Sequence, residues 1–190
     1  MNVIISCHID TVFRDPMAEW KNGLLRGAVD NFSSVFACGI VMERMREQVY
    51  IEFTEDEEMH MDGARNLAKR ADNSDTLFIV MDVTQHKKDW SEKISFTIEN
   101  IHRIEEKHVV TALKPMKWKY KINPQGAESE AWLYKDMGFA CIEVDIPVKG
   151  GLHSLDSVVR GNDIFEAAKA IELIVNYFKD KNLREVSGEI

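Results

Sequence analysis

The stretch TLFIVMDV, residues 76–83, is apolar at nearly every position before Asp82. A continuous apolar run of this length predicts a strand that is buried on both faces, as in a parallel sheet. Val3–Ser6 and Ala140–Val148 are similarly apolar, and Val49–Thr54 also has strand character. The chain is therefore expected to contain a largely parallel sheet.

Segments between these strands have the apolar spacing of helices. Helices are predicted over Asn31 to about Arg46, Asp62 to about Arg70, Glu128–Met137 and Asp163–Lys179. Strands that alternate with helices indicate an α/β sandwich, in which ligands gather at the carboxyl ends of the strands.

Two regions are harder to interpret. A loop with Pro16, Gly23 and Gly27 is expected after the first strand, and Asp30 or Asn31 is a candidate cap for the helix that follows. From Lys87 to Gly126, strand character is present at Ile94–Ile98 and Val109–Leu113, while Glu99–Glu106 is compatible with helix or strand.

Composition restricts the classes of function. The 190 residues are 45% hydrophobic and 29% charged, which is typical of one soluble domain over residues 1–190. A net charge of −8 argues against nucleic-acid binding, and no apolar run is long enough to span a membrane. Cys7, Cys38 and Cys141 are isolated in apolar surroundings, as expected for buried thiols in a reducing compartment. We expect a cytoplasmic protein that acts on small molecules or peptides.

Polar residues follow several of the predicted strands and open the first long helix. Five of them are potential metal ligands that come from different connections: His8, Asp30, Asp82, His153 and one of Glu57 or Glu58. Two histidines and three carboxylates suit zinc, cobalt or manganese, and a carboxylate between two ions is needed for a dinuclear site such as those of aminopeptidases.

Spacing within two clusters suggests further roles. His8 and Asp10 project to the same side of an extended segment, so Asp10 can hold one ring nitrogen of His8. Adjacent side chains in Glu57-Glu58 point in different directions, so that one can bind metal while the other acts as general base. Each cluster alone has a structural explanation, as a helix cap, a turn or a solvated acidic loop. Together they favour a site.

The ordered motifs resemble those of the co-catalytic zinc peptidases, the superfamily of glutamyl and leucyl aminopeptidases, deblocking aminopeptidases and acylase- or carboxypeptidase-type amidohydrolases. The resemblance rests on CHIDTV (7–12), GAVDN (27–31), FTEDEE (53–58) with Gly63-Ala64, MDVT (81–84), GFAC (138–141), Ile146-Pro147, His153-Ser154 and Asp163-Ile164. It covers residues 3 to about 180 and is closest to the glutamyl aminopeptidase and leucyl aminopeptidase-type metallopeptidases.

The resemblance implies a three-layer α/β/α sandwich around a mixed, mostly parallel sheet. It implies two divalent ions, most simply zinc, held by His8, Asp30, Glu58, Asp82 and His153. Asp30 would bridge the ions, Glu57 would be the general base for a hydroxide held between them, and Asp10 would orient His8. The implied function is a metal-dependent exopeptidase acting on peptides or small amides, with an aminopeptidase favoured over a deacylase or carboxypeptidase and a homo-oligomer possible. A truncated, non-catalytic relative that serves as a binding module is the alternative from another class, and metal analysis would discriminate the two.

This chain departs from the family pattern at several positions. His60 stands where many relatives have glycine, and Ser157 stands where a glutamate is frequent. Family members usually have a segment before the first ligand strand, and the 70 residues between Asp82 and His153 are few for a separate lid. We therefore expect a domain without a full lid and expect His60 to face solvent.

Overall fold

The computed structural model describes residues 1–85, 90–91, 93–123, 126 and 128–187. Part of the region from Lys87 to Gly126 that the sequence leaves open lies outside these residues. The strands are β1 (Asn2–His8), β2 (Ala18–Lys21), β3 (Leu24–Gly27), β4 (Tyr50–Thr54), β5 (Thr76–Thr84), β6 (Phe96–His102), β7 (Tyr120–Ile122), β8 (Ala140–Pro147) and β9 (Val158–Arg160). The helices are α1 (Val29–Met45), α2 (Asp62–Arg70), α3 (Glu106–Ala112), α4 (Glu130–Asp136), α5 (Gly161–Phe178) and α6 (Leu183–Ser187).

Six strands form the main sheet in the order β4-β1-β5-β8-β6-β7. The first four are mutually parallel, β6 runs antiparallel to β8, and β7 is parallel to β6. The mixed, mostly parallel sheet of the sequence prediction is confirmed. Strand β5 is central, and all nine of its residues are buried, as its apolar sequence indicates.

Helices cover both faces of this sheet. On one face, α1 and α5 pack together against β5 and β8 in the larger core. On the other face, α4 packs against β5 and β8, α2 packs against α4 and β4, and Leu67, Ala131 and Tyr134 lie in the smaller core there. Side chains alternate along a strand, so Asp82 lies on the same face of β5 as Phe78 and Val80, which contact α2 and α4. The site described below is built on this second face.

The predicted loop before the first long helix contains a hairpin that sequence analysis missed. Strands β2 and β3 pair antiparallel, and β9 joins them in a second, three-stranded sheet. Asn22 and Gly23 both have positive φ, 53° and 76°, which is the conformation that Asn-Gly hairpin turns require. The Asn-Gly pair was therefore the signal for this hairpin.

The strand predicted at Val109–Leu113 is wrong. Val109 lies in α3, and Leu113 follows its last residue. Valines favour strands when considered alone, but burial of Val109 and Ala112 in the larger core stabilises a helical turn here. The strand predicted at Ile94–Ile98 begins instead at Phe96 and continues to His102.

The three cysteines are free and buried, as expected. No helix among the described residues is long and apolar enough to cross a bilayer.

Candidate metal centre

His8 and Asp82 meet at the carboxyl edge of the sheet because they end or nearly end adjacent parallel strands. Cys7 of β1 is paired with Met81 of β5, which places the next residue of each strand side by side. Nε2 of His8 lies 3.4 Å from Oδ1 of Asp82. His8 is 1% exposed and Asp82 8% exposed, so their contact is shielded from solvent.

Asp30 reaches the same point from the start of α1. Its backbone is not helical, with φ −88° and ψ 106°, and the peptide bond to Asn31 is cis. Asn31 donates a hydrogen bond of 3.0 Å from Nδ2 to the carbonyl oxygen of Met81, which ties this turn to β5. Neither Asp30 nor Asn31 makes the capping bond that the sequence suggests. Instead, Oδ1 of Asp30 lies 3.5 Å from Nε2 of His8.

The loop after β4 brings Glu57 and Glu58 to the site, and Asp10 holds that loop. The carboxylate of Asp10 accepts backbone N–H hydrogen bonds from Glu57 and Glu58, each 3.2 Å long. Oδ1 of Asp10 is also 3.4 Å from Nδ1 of His8. Asp10 thus contacts the ring nitrogen that faces away from Asp82, as its spacing from His8 predicts, and in addition positions the Glu-Glu segment.

His153 closes the other side of the site from the loop before β9. Its Nε2 is 3.1 Å from Oε2 of Glu58 and 3.5 Å from Oδ2 of Asp30. The His153 side chain is 53% exposed, in contrast to buried His8. The structure therefore brings together all five predicted ligands and Glu57, whose Oε2 lies 4.0 Å from Nε2 of His8.

Asp30 belongs to two groups of potential ligands at once. One group is His8, Asp30 and Asp82, and the other is Asp30, Glu58 and His153; within each group one potential ligand atom per residue lies within 4.8 Å of the others. The two oxygens of Asp30 face different histidines. This is the arrangement that a carboxylate shared between two ions requires.

Several carboxylates lie close together in this buried site, and their pKa values are raised as a result. Burial, followed by repulsion from Asp82, raises the pKa of Asp30 to about 8 and the pKa of Glu57 to about 8. Burial also raises the pKa of Glu58. Such a set of acidic groups requires protons or cations for its charge to be compensated.

His8 and Asp10 shift in opposite directions because they face each other. Burial alone would lower the pKa of His8, but the charge of Asp82 and the contact with Asp10 raise it well above its ordinary value. Burial likewise opposes ionisation of Asp10, yet His8 and the N–H groups of Glu57 and Glu58 lower its pKa.

The donor set fits divalent cations. Oδ1 of Asp30 and Oε1 of Glu58 are buried acceptors without a hydrogen-bond donor among the described residues. Acceptors in this state are compensated by a proton or by a bound cation. Imidazole and carboxylate groups together are the ligands of zinc, with cobalt and manganese as alternatives.

The candidate centre lies in a cleft of about 530 Å³. His60 lines this cleft, is exposed, and contacts Asp56 with 3.2 Å between Nδ1 and Oδ2. Sequence analysis missed several acidic residues nearby. Glu130 is buried under the site and accepts a 2.6 Å hydrogen bond from the hydroxyl of Ser6. Glu143 and Asp145 line the cleft from β8. Their alternation with apolar residues in IEVDIP, residues 142–147, was the available signal.

A mostly parallel α/β sandwich with two overlapping histidine–carboxylate groups at its carboxyl edge agrees with the resemblance to the co-catalytic zinc peptidases that the sequence motifs gave. Residues 1–156 match peptidase family M28, and the chain belongs to that family. The comparison with curated proteins gave no match.

Several solved structures of archaeal peptidases have a similar fold. The Pyrococcus horikoshii TET1 peptidase, which "can assemble into a tetrahedron or a large octahedral shell", is 20% identical with a TM-score of 0.69, over 86% of this chain and 53% of that one. The aminopeptidase APDkam598 from Desulfurococcus kamchatkensis is 17% identical with a TM-score of 0.70, over 93% of this chain and 55% of that one. The TET aminopeptidase from a marine-sediment Thaumarchaeota archaeon is 18% identical with a TM-score of 0.69, over 91% of this chain and 55% of that one. This chain thus spans about half the length of these structures, and at these identities the likeness concerns the fold.

Proposed function

We propose that the protein is a metal-dependent aminopeptidase. Two divalent ions, most simply zinc, would be held by His8, Asp30, Glu58, Asp82 and His153. The observation that carries this proposal is the position of Asp30, which belongs to two groups of potential ligands and has one oxygen near each histidine. Membership of peptidase family M28 supports peptide-bond hydrolysis. Similar folds that bear the name aminopeptidase support the choice of the amino end.

When bound, the ions supply Lewis acidity that activates water and polarises the scissile carbonyl. Glu57 is assigned to proton transfer because it lines the cleft beside the proposed ligands and lies outside the two ligand groups that share Asp30, although it forms a third group with His8 and Glu58. Burial and repulsion from Asp82 raise the pKa of Glu57 to about 8 in the metal-free protein; two bound cations would lower it and leave the carboxylate ionised, as a general base requires. Glu57 would take a proton from the attacking water and deliver it to the leaving amine.

Asp10 is a positioning residue in this proposal. It holds the backbone of Glu57 and Glu58 and faces the ring of His8, so one carboxylate fixes a general base and two potential ligands. Partners of this kind orient metal ligands and set their basicity.

The experiment compares Glu57→Gln and Asp30→Ala proteins with wild type, and uses Glu55→Gln as the control because Glu55 is exposed in the same acidic segment. Metal content is measured after purification without chelator. Activity is measured on aminoacyl amides, N-acyl amino acids and peptides with a blocked amino end.

We expect wild type and Glu55→Gln to hold about two ions per chain and to cleave only substrates with a free amino end. Glu57→Gln should keep its metal and lose roughly 10²- to 10⁴-fold in kcat, whereas Asp30→Ala should lose metal and activity together. Full activity of Glu57→Gln would refute the role of Glu57. A preference for N-acyl substrates would make the protein a deacylase instead.

A further inference from the structure

Strand β2 lies at the open edge of the second sheet. The strand order there is β2-β3-β9, so among the described residues no strand pairs with the outer edge of β2. All four residues of Ala18–Lys21 are exposed. An edge strand presents backbone N–H and C=O groups that can pair with another strand, and proteins often block such an edge with a proline or a bulge. The register of β2 against β3 is regular and β2 contains no proline, so this edge is open to pairing.

The hairpin turn determines which backbone groups of β2 point outward. Lys21 and Leu24 flank the two-residue turn Asn22-Gly23, and the residues that flank such a turn exchange hydrogen bonds with each other. Along an antiparallel ladder, pairs that exchange hydrogen bonds alternate with pairs that do not. Trp20, which is paired with Leu25, is therefore in a pair that does not. The N–H and C=O groups of Trp20 consequently point to the free edge.

An exposed aromatic patch borders this edge. We call Trp20 of β2, Phe36 of α1 and Phe165 of α5 the aromatic patch, and they are 48%, 51% and 49% exposed. The rings of Trp20 and Phe36 meet edge to face with their centroids 6.2 Å apart. Trp20 also lies against Gly161, where an added Cβ atom would come within 2.5 Å of the tryptophan ring. Phe165 follows Gly161 by one turn on the same face of α5.

The sequence of β2 complements itself when two copies pair antiparallel. If Trp20 is opposite Trp20 of a second copy, Glu19 lies opposite Lys21 on both sides of the two-fold axis. Because outward-pointing backbone groups recur at every second residue, the neighbouring registers place Glu19 opposite Glu19 or Lys21 opposite Lys21. Opposite charges across a strand pair stabilise it, and like charges destabilise it. The charges therefore favour the register centred on Trp20.

Pairing in this register would also cover the aromatic patch. The side chain of Trp20 lies on the opposite face of β2 from Glu19 and Lys21, on the side of α1 and α5. Two Trp20 rings would therefore meet beside the two-fold axis. The exposed halves of three aromatic side chains from each copy amount to roughly 600 Å² in total, whereas a standard interface buries about 1,600 Å². A reversible dimer is expected rather than an obligate one.

We propose that β2 is a self-association edge, at which two copies of this chain pair antiparallel about Trp20 and join their second sheets into one sheet of six strands. The proposal goes beyond the proposed function and does not depend on it, because none of the residues involved is a proposed metal ligand. Strand β3 ends at Gly27, shortly before Asp30, and β9 begins at Val158, shortly after His153. The dimer would thus extend the sheet that flanks two proposed ligands.

Sedimentation velocity over a concentration series measures the association. The buffer contains chelator and about 0.15 M salt, which screens the repulsion between chains of net charge −8. Wild type should change from monomer to dimer as its concentration rises. Lys21→Glu and Glu19→Lys each create two like-charge pairs in the proposed register, and each should raise the dissociation constant by roughly 10- to 100-fold. An equimolar mixture of these two variants should associate as wild type does, because every charge then faces an opposite one again.

Two tryptophan variants test the aromatic patch. Trp20→Ser should weaken association, whereas Trp132→Ser, which removes a tryptophan of similar exposure (46%) from α4, should leave it unchanged. If Trp20→Ser fails to fold, the charge variants still decide, because they change only exposed side chains.

Three results would overturn the proposal. One is wild type that stays monomeric at every concentration. Another is a dimer that both charge variants retain at full strength, since a different surface would then hold it. The third is a mixture of Lys21→Glu and Glu19→Lys that associates no better than either variant alone, which would refute the register centred on Trp20.

Discussion

Replacement of Asp10 by alanine should weaken both the fold and metal binding, because this side chain joins three parts of the site. Its carboxylate accepts the N–H groups of Glu57 and Glu58 at 3.2 Å and lies 3.4 Å from Nδ1 of His8. A hydrogen bond to a charged group contributes about 1.5–3 kcal/mol. These bonds are long and the Asp10 side chain is 26% exposed, so the lower end applies.

Two such bonds give an expected loss of about 3 kcal/mol in the free energy of unfolding of metal-free Asp10→Ala protein. Urea unfolding in the presence of chelator measures this loss. Loss of a residue that orients metal ligands costs about 10- to 100-fold in metal affinity, which competition with a chromophoric zinc chelator measures.

Asp56→Asn is the matched control. Asp56 lies in the same acidic segment but contacts His60, which is exposed. Asparagine tolerates the positive φ of 67° at this position, so the substitution leaves the backbone undisturbed. If Asp10→Ala and Asp56→Asn have the same zinc affinity as wild type, Asp10 does not position the site and the reasoning is refuted.

Two further results are expected. Ser6→Ala should lower the free energy of unfolding by about 1–3 kcal/mol in urea titrations, because buried Glu130 loses its 2.6 Å donor; unchanged stability would show that Tyr134 or water replaces the hydroxyl. In chelator, Asp30 and Glu57 have pKa values of about 8 in the folded protein against ordinary values of 3.8 and 4.5, so they stabilise the fold when protonated. The urea midpoint of metal-free protein should therefore fall as the pH rises from about 4 through about 8, and zinc should reduce that fall; a midpoint that rises over this range without metal would contradict the burial of these carboxyl groups.

The proposed centre could be anticipated from the sequence because parallel strands deliver their end residues to one edge. His8 and Asp82 follow apolar runs whose lengths set their level in the sheet, and the structure places them 3.4 Å apart. The other assignments came from the resemblance to the family motifs. In particular, the sequence positions of Glu57 and Glu58 do not show which one binds metal and which one acts as general base.

The features of the fold and the site that the sequence did not predict depend on tertiary contacts, or on polar residues that alternate with apolar ones along a strand. Val109 is helical because it packs in the core, whereas its β-branched side chain considered alone favours a strand. Asp30 was predicted as a bridging ligand, and it faces both histidines. The alternative role of Asp30 or Asn31 as a helix cap is wrong, because the backbone of both residues is not helical and neither side chain makes a capping bond. Glu143 and Asp145 were overlooked because the apolar residues between them made Ala140–Val148 look like an ordinary buried strand.

The central claim is that Asp30 lies between two divalent ions. A crystal structure of zinc-loaded protein, with anomalous data collected at the zinc absorption edge, tests it most directly. We expect two anomalous peaks about 3.5–4 Å apart, one beside His8 and Asp82 and one beside Glu58 and His153, each in contact with an oxygen of Asp30. A single peak or no peak would contradict the claim.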